Sequence, residues 1–358
     1  MQDFLVIGGG IAGVSVAARL SHLGTVTLLE AEEGLGYHAS GRSAAMFVET
    51  YGPPSTLALN RASRAHLEGA HGGVLSPRGV LLVGTRANRA AFERDMAEMS
   101  MRPIPLEQGL EMVPGLDPGA LTQLGYLREA LDIDTDLLIQ NFARELRANG
   151  GKLRTGERVG AITRTTRGWE ARTGARAFTA RMLVNAAGAW ADELAEMAGI
   201  GRFGFTAYRR SVARIPAPGG RDVAGWPMLL GAGEQWYAKP DAGCLLVSPA
   251  DATPAVPHDA WPEDETLAEG IARYEEVMRE GVTRLVGSWA GLRTFAPDGA
   301  LVLGPDPRES TFIWMAGQGG YGFQTAPAAS QLVADLVAGR QSALEAPVIA
   351  ALSPARLV

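Results

Sequence analysis

Three glycines and one acid near the start of the chain carry the first chemical signal. Gly8, Gly10 and Gly13 stand in Gly-x-Gly-x-x-Gly spacing, and Glu30 follows about 20 residues later. Each glycine of such a loop serves a separate purpose, one allowing a tight turn, one the close approach of backbone to a pyrophosphate, and one the contact of helix with strand. The helix N-terminus, with Ile11 and Ala12 in its first turn, then points unpaired amides at the phosphates. Glu30, followed by Ala31, ends the next strand, where a carboxylate accepts hydrogen bonds from ribose hydroxyls and disfavours a phosphorylated ribose. The elements that must hold these residues are written around them. Asp3-Phe4-Leu5-Val6-Ile7, an apolar helical stretch and Thr25-Val26-Thr27-Leu28-Leu29 make a βαβ unit for a dinucleotide.

Two further glycine-rich segments could meet the same ligand. Gly36-Tyr37-His38-Ala39-Ser40-Gly41-Arg42-Ser43-Ala44-Ala45-Met46 follows the second strand and reads as the hydroxyl-bearing start of a helical stretch. It suits either a second phosphate contact or an ordinary helix cap. Near the end, strand 311–316 leads through Gly317-Gln318-Gly319-Gly320-Tyr321-Gly322-Phe323-Gln324-Thr325 to an apolar helix over 328–338, a second helix N-terminus aimed at a ligand. Between them, 181–185 reads as a buried strand running into Ala186-Ala187-Gly188-Ala189-Trp190, which returns the chain to the nucleotide domain. The pattern also predicts a strand over 80–84, an amphipathic helix over 87–99, and a helix capped at Asp134 that runs through Leu146. Residues 204–284 are β-rich and carry Trp226, Trp236, Tyr237 and several prolines, as a separate substrate domain would.

Composition narrows the classes. A chain of 358 residues exceeds the size at which one core keeps growing, so two domains are expected. No apolar run approaches the roughly 18 residues of a membrane span, which predicts no integral membrane segment. The nucleotide motif begins within ten residues of Met1, leaving no room for a signal peptide ahead of it, and the expectation is a cytoplasmic protein. A net charge of −6 argues against nucleic acid as a partner. The single cysteine, Cys244, precedes Leu245-Leu246-Val247 and reads as a buried strand residue. None of the five histidines falls in a nucleophile or metal pattern: His38 is expected beside the 36–46 loop, and His22, His66, His71 and His258 in solvent. Only Lys152 and Lys239 are lysines among 33 basic residues, so any functional arginine must be chosen by context.

Taken together, these segments resemble the glycine oxidase and D-amino-acid dehydrogenase family of FAD enzymes, most closely the bacterial D-arginine dehydrogenases. The matching stretches span almost the whole chain: the N-terminal glycine loop with Glu30, Gly36-Tyr37-His38 with residues 41–45, Asp132-Ile133-Asp134-Thr135-Asp136, residues 184–190, Arg209-Arg210-Ser211, Trp226-Pro227-Met228, residues 289–293, and 319–325. The resemblance implies a mixed α/β (α+β) fold: a Rossmann-like FAD-binding domain over 1–75, 132–204 and 286–358, with a β-rich substrate domain over 76–131 and 205–285. It implies non-covalent FAD, its ADP half on the Gly8 to Gly13 loop, Glu30, Ala31 and Val159. Gly188 belongs to the same set. The isoalloxazine would lie near Ser40, Gly41, Arg42, Ser43, Ala44, Ala45 and Met46, and near Gly319, Gly320, Tyr321, Gly322, Phe323 and Gln324.

The implied chemistry is oxidation of the Cα–N bond of a D-amino acid by hydride transfer to the flavin, giving an imino acid, then a keto acid and ammonia. Arg210 and Arg293 match the substrate-binding arginines of the resembling enzymes, and a guanidinium fork suits a carboxylate. Tyr51 and Tyr237 match pocket tyrosines, and the amide of Gln324 could touch substrate or flavin. Two departures bear on the side chain. Met46 stands where the D-arginine dehydrogenases have a histidine, and Val80 where an acid would face a basic group, so an apolar or small side chain becomes plausible. No general base is evident, so the substrate amine should lose its own proton. The electron acceptor is a quinone, an electron carrier or oxygen. The competing functions are a 2-hydroxy acid dehydrogenase of the same fold, or a flavin-binding subunit with a structural role.

Overall fold

Consecutive apolar residues in a strand can all be buried only where both faces of the sheet are covered. In the computed structural model, which describes residues 1–358, strand Gln2–Ile7 meets that condition: it pairs in parallel with Val26–Leu29 on one side and Arg176–Asn185 on the other. Lys152–Arg154 and Phe312–Ala316 add further parallel strands, and antiparallel strands at the edges complete eight. Helices Ile11–Leu20, Thr135–Ala148 and Gly322–Val337 contribute to the core on one face, and Trp169, Phe203, Phe312 and Trp314 fill the other. This is the mixed α/β architecture expected, with a Rossmann-like core. No helix is long and apolar enough to cross a membrane.

A nine-stranded sheet forms the second layer system, and its strand Val80–Gly84 shows how alternation divides it. Leu81 and Val83 point into a core shared with helix Asp264–Glu275, whereas Val80 and Leu82 point with Leu230 and Tyr237 toward the nucleotide half. A three-stranded sheet of Met46–Phe47, Leu131–Ile133 and Leu75–Pro77 lies beside that face.

Several sequence-level expectations need correction. Residues 36–46 do not open a helix: turns carry the chain to strand Met46–Phe47, which pairs with Leu131–Ile133, and the next helix starts at Pro54. Gly36 takes a left-handed φ of 72°, which a helix cannot contain. The helix expected over 328–338 starts at Gly322, so Phe323 and Gln324 belong to its first turn. Strand Gly287–Phe295 pairs along its length with Thr206–Pro216, so it belongs to the substrate sheet and not, as its place within 286–358 suggests, to the nucleotide half. His66 is not solvated: its ring stacks on Phe142, and burial together with Arg19 lowers its pKa to about 4. Cys244 is only half-buried, at the start of its strand.

The junction between the two halves turns on one carboxylate. Buried Asp192 accepts hydrogen bonds from the amides of Phe203, Gly204 and Phe205 at 2.9, 3.0 and 2.8 Å, just before strand Thr206–Pro216 begins. Replacing it with alanine strands three amides, each costing about 1 kcal/mol or more. We expect Asp192→Ala to lose roughly 3 kcal/mol of stability in denaturant unfolding; a loss under about 0.5 kcal/mol would show that water serves these amides equally well.

Candidate active site

A cavity of about 410 Å³ runs between the two halves, and the residues along it change character from one end to the other. At one end lie Glu30, Ala31, Val159 and the start of helix Ile11–Leu20; at the other lie Arg210, Tyr237, Arg293 and Gln324. Helix Ile11–Leu20 presents its N-terminus with Gly10, which has no side chain, at the cap; Ser40 takes the Ile11 amide, and the following first-turn amides are left for an anion. Helix Gly322–Val337 also starts uncapped against the cavity.

The glycine loop is packed so closely that side chains are excluded. A Cβ on Gly13 would lie 1.8 Å from the Gly8 carbonyl oxygen, and one on Gly8 would lie 2.3 Å from that of Ala186. Gly13 therefore lets the helix close on the strand without itself lining the cavity. Gly41 has the same kind of role, since its Cβ would meet the Gly36 carbonyl at 2.5 Å. The Glu30 carboxylate accepts from the Gly9 amide and from that of Glu32, so both oxygens are oriented before any ribose arrives.

An extended dinucleotide the size of FAD fits the polar groups left over. Thr294 Oγ1 and Gln318 Nε2 line the cavity, are buried and have no partner in the protein. The amides of Ser43, Ala44 and Ala45, on the same wall, find no protein acceptor either. Buried polar groups are normally paired, so Thr294 Oγ1 and Gln318 Nε2 imply a ligand that supplies the partners, and the amides of the exposed to half-buried residues 43–45 are free to join them. Sequence reasoning missed Thr294, Gln318 and Trp190; Gln318 lies within the glycine-rich 317–325 segment, but nothing local shows which of its residues faces inward.

Other expected residues build the wall instead. Arg42 lines the cavity, yet its guanidinium donates to the carbonyls of Tyr37, Ala260 and Ala290 and pairs with Asp259, clamping the 36–46 loop to the substrate sheet. Ser40 Oγ accepts from the Ile11 amide at 3.0 Å. Gln324 is 4% exposed and both polar ends of its amide meet backbone: Oε1 accepts from Val48 N and Nε2 donates to Tyr51 O. Tyr321 does not line the cavity; its ring packs against Tyr51 and Phe295.

At the far end, two arginines converge without an acid between them. Register places Tyr208 opposite Arg293 and Arg210 opposite Gly291, so Arg210 and Arg293 share one face of the paired strands. Neither makes a salt bridge or hydrogen bond within the protein, and Arg210 Nε is buried and unpaired. Burial first, and then the charge of Arg293, pushes the Arg210 guanidinium below its usual pKa. Arg209, on the opposite face, is paired with Glu263 at 2.6 Å and lies 3.6 Å from Asp251. Gly320 leaves room for the fork, since a Cβ there would approach Arg293 Nη1 to 3.3 Å.

Beyond the arginines opens a second cavity of about 120 Å³, walled by Met46, Val48, Val80, Met99, Met228 and Leu230. Tyr51, Tyr237 and Gln324 border it, and Glu234 is its lone carboxylate, exposed and 3.5 Å from Tyr51 Oη. Burial and Glu234 raise the Tyr51 pKa far above that of a free phenol, so its hydroxyl stays protonated. Met46 and Val80, where the sequence departs from the D-arginine dehydrogenases, both face this space.

Comparison with known proteins agrees with this geometry. A family model described as FAD dependent oxidoreductase (DAO) matches residues 3–336. Glycine oxidase of Pseudomonas aeruginosa is 26% identical, covering 96% of this chain and 97% of its own. Among solved structures, glycine oxidase from Geobacillus kaustophilus superposes with a TM-score of 0.82 at 22% identity, covering 97% of each chain. L-proline dehydrogenase from P. horikoshii also reaches 0.82, at 21% identity, covering 99% of this chain and 97% of that one. The glycine loop carries a direct test. Valine at position 13 must push the helix off the turn, so purified Gly13→Val should emerge colourless and bind added FAD at least about 100-fold more weakly. A yellow variant with unchanged FAD affinity would refute that role.

Proposed function

This chain belongs to the DAO family of FAD-dependent oxidoreductases, and we propose that it oxidises the Cα–N bond of an amino acid with an apolar side chain, of D configuration. The observation that carries this reading is the pair Arg210 and Arg293, two guanidinium groups on one face with neither paired to an acid. FAD, when bound, supplies the acceptor for the hydride that leaves Cα. The ADP half belongs with the Gly8 to Gly13 loop, Glu30, Ala31 and Val159, and the ring end with residues 43–46, Gly319, Gly320 and residues 322–324.

The protein's own part is to bind and orient. A carboxylate between Arg210 and Arg293 gains charge-assisted hydrogen bonds and relieves the repulsion between the two cations. With the carboxylate fixed, the side chain enters the second cavity. An engineered cavity of about 150 Å³ holds benzene, so about 120 Å³ suits a branched aliphatic chain. Its walls offer no acid to a guanidinium except Glu234 at the rim, which disfavours D-arginine despite the overall resemblance. Tyr237, 6% exposed, and Tyr51 close the space against water. The imino acid product is then hydrolysed to a keto acid and ammonia.

Two measurements test this. In anaerobic mixing, D-valine, D-leucine or D-methionine should bleach the flavin faster than D-arginine, and Arg293→Met should weaken amino-acid binding about 100-fold, near 3 kcal/mol. Bleaching by 2-hydroxy acids alone would favour the hydroxy acid dehydrogenase, and bleaching by neither would favour a structural flavin. The second concerns pH. Hydride leaves Cα only when the nitrogen lone pair is free, the Tyr51 hydroxyl is held protonated, and no histidine lines the second cavity. The flavin reduction rate should therefore rise with pH to a plateau as the substrate ammonium deprotonates, and Tyr51→Phe should leave the midpoint in place. A flat profile would overturn this expectation, and a midpoint moved by Tyr51→Phe would show that the enzyme takes the proton itself.

A further inference from the structure

This chain uses arginine for nearly every cation, yet the buried cation beneath the 43–46 wall is a lysine. Lys239 is 9% exposed, on strand Tyr237–Asp241 two residues from Tyr237. Its ammonium donates to Ala44 O at 3.2 Å and to Ala45 O at 3.1 Å, and forms an ion pair with Asp132 Oδ1 at 2.8 Å without hydrogen-bond alignment. A compact ammonium can bond two carbonyls and lie against a carboxylate at one point, whereas a planar guanidinium fork spreads its donors apart. Asp132 is itself fixed by Arg78 Nε at 2.7 Å, and Arg78 donates onward to the carbonyls of Ala224 and Trp226. The cluster ties three segments together: the 43–46 wall, strand Leu131–Ile133 and the substrate sheet.

The consequence follows from peptide geometry. No peptide bond in the chain is cis, so the amide of Ala45 points opposite to the Ala44 carbonyl. Holding that carbonyl on Lys239 turns the Ala45 amide away from the cluster, and this amide has no acceptor within the protein. Ala44, Ala45 and Met46 border both cavities. We propose that Lys239 is a positioning residue of the flavin site: by holding the Ala44 and Ala45 carbonyls it presents the wall's amides to the ring end of bound FAD. This rests on the placement of that ring beside residues 43–46.

The test is made on the full chain without amino acid, so it stands apart from the substrate reading. Apoprotein of wild type, Lys239→Met and Lys239→Arg is titrated with FAD, the visible spectrum of bound flavin is recorded, and the thermal midpoint of each apoprotein is measured. Lys239→Met should bind FAD about tenfold more weakly or worse, with a shifted long-wavelength band, and Lys239→Arg should recover part of both. Unchanged FAD affinity and spectrum in Lys239→Met would overturn the proposal. So would a lowered apoprotein midpoint with flavin affinity and spectrum intact, because the lysine would then serve the fold alone. If Lys239→Met does not fold, Lys239→Arg decides: a shifted band supports positioning, and wild-type affinity and spectrum overturn it.

Discussion

Arg210 and Arg293 are two cations held on one face of paired strands with nothing of opposite sign between them, and much of the surrounding structure keeps them there. Bringing a guanidinium out of water without a partner is unfavourable, and a second one nearby adds to the cost. The strands would escape by rotating the side chains outward if they could. Thr206–Pro216 cannot, because it is bonded to Gly287–Phe295 along one edge and to two strands along the other. On the opposite face Arg209 is locked to Glu263, and the Ser211 amide donates to Asp251 at 2.6 Å. The stability of the sheet offsets the local penalty, and the carboxylate we propose as its ligand would meet a fork that needs no reorganisation.

What can be read from the sequence is what depends on local geometry. The Gly8 to Gly13 loop is legible because a strand, a turn and a helix must meet within a few residues, and only glycine fits where a Cβ would touch carbonyl oxygen. Strand Val80–Gly84 and the helix capped by Asp134 follow in the same way, the latter from a side chain that accepts the Leu137 amide. The arginines differ. Arg209 and Arg210 are neighbours of identical type, and alternation says only that they face opposite ways. Which face meets the cavity depends on a strand some 80 residues further along the chain, so only the family resemblance singles out Arg210.

The failures share a cause. Residues 36–46 look like a helix start because small and hydroxyl residues cap helices, but Arg42 reaches two carbonyls on other segments, those of Ala260 and Ala290, and the chain extends to pair Met46 with Asp132. Tertiary hydrogen bonds override a weak local preference. The strand Gly287–Phe295 groups by sequence with the nucleotide half because its chain neighbours are there, whereas its hydrogen-bond partners are in the other sheet. Thr294 and Gln318 are invisible in the sequence for a related reason: an unpaired buried polar atom can be recognised only once every candidate partner has been located.

Gln324 shows how the two ends of the site are joined. It sits in the first turn of helix Gly322–Val337, whose uncapped N-terminus faces the large cavity. Its amide grips Val48 and Tyr51, which border the small one. A shift of that helix on flavin binding would therefore move the lip of the substrate pocket, because a buried side chain bonded at both polar ends cannot yield at one without losing the other. Gln324, expected from the sequence to touch substrate or flavin, lines both cavities as well as holding Val48 and Tyr51. The second cavity thus shares Gln324 of that helix with the large one, and its apolar walls around Met46 and Val80 stand beside the helix start.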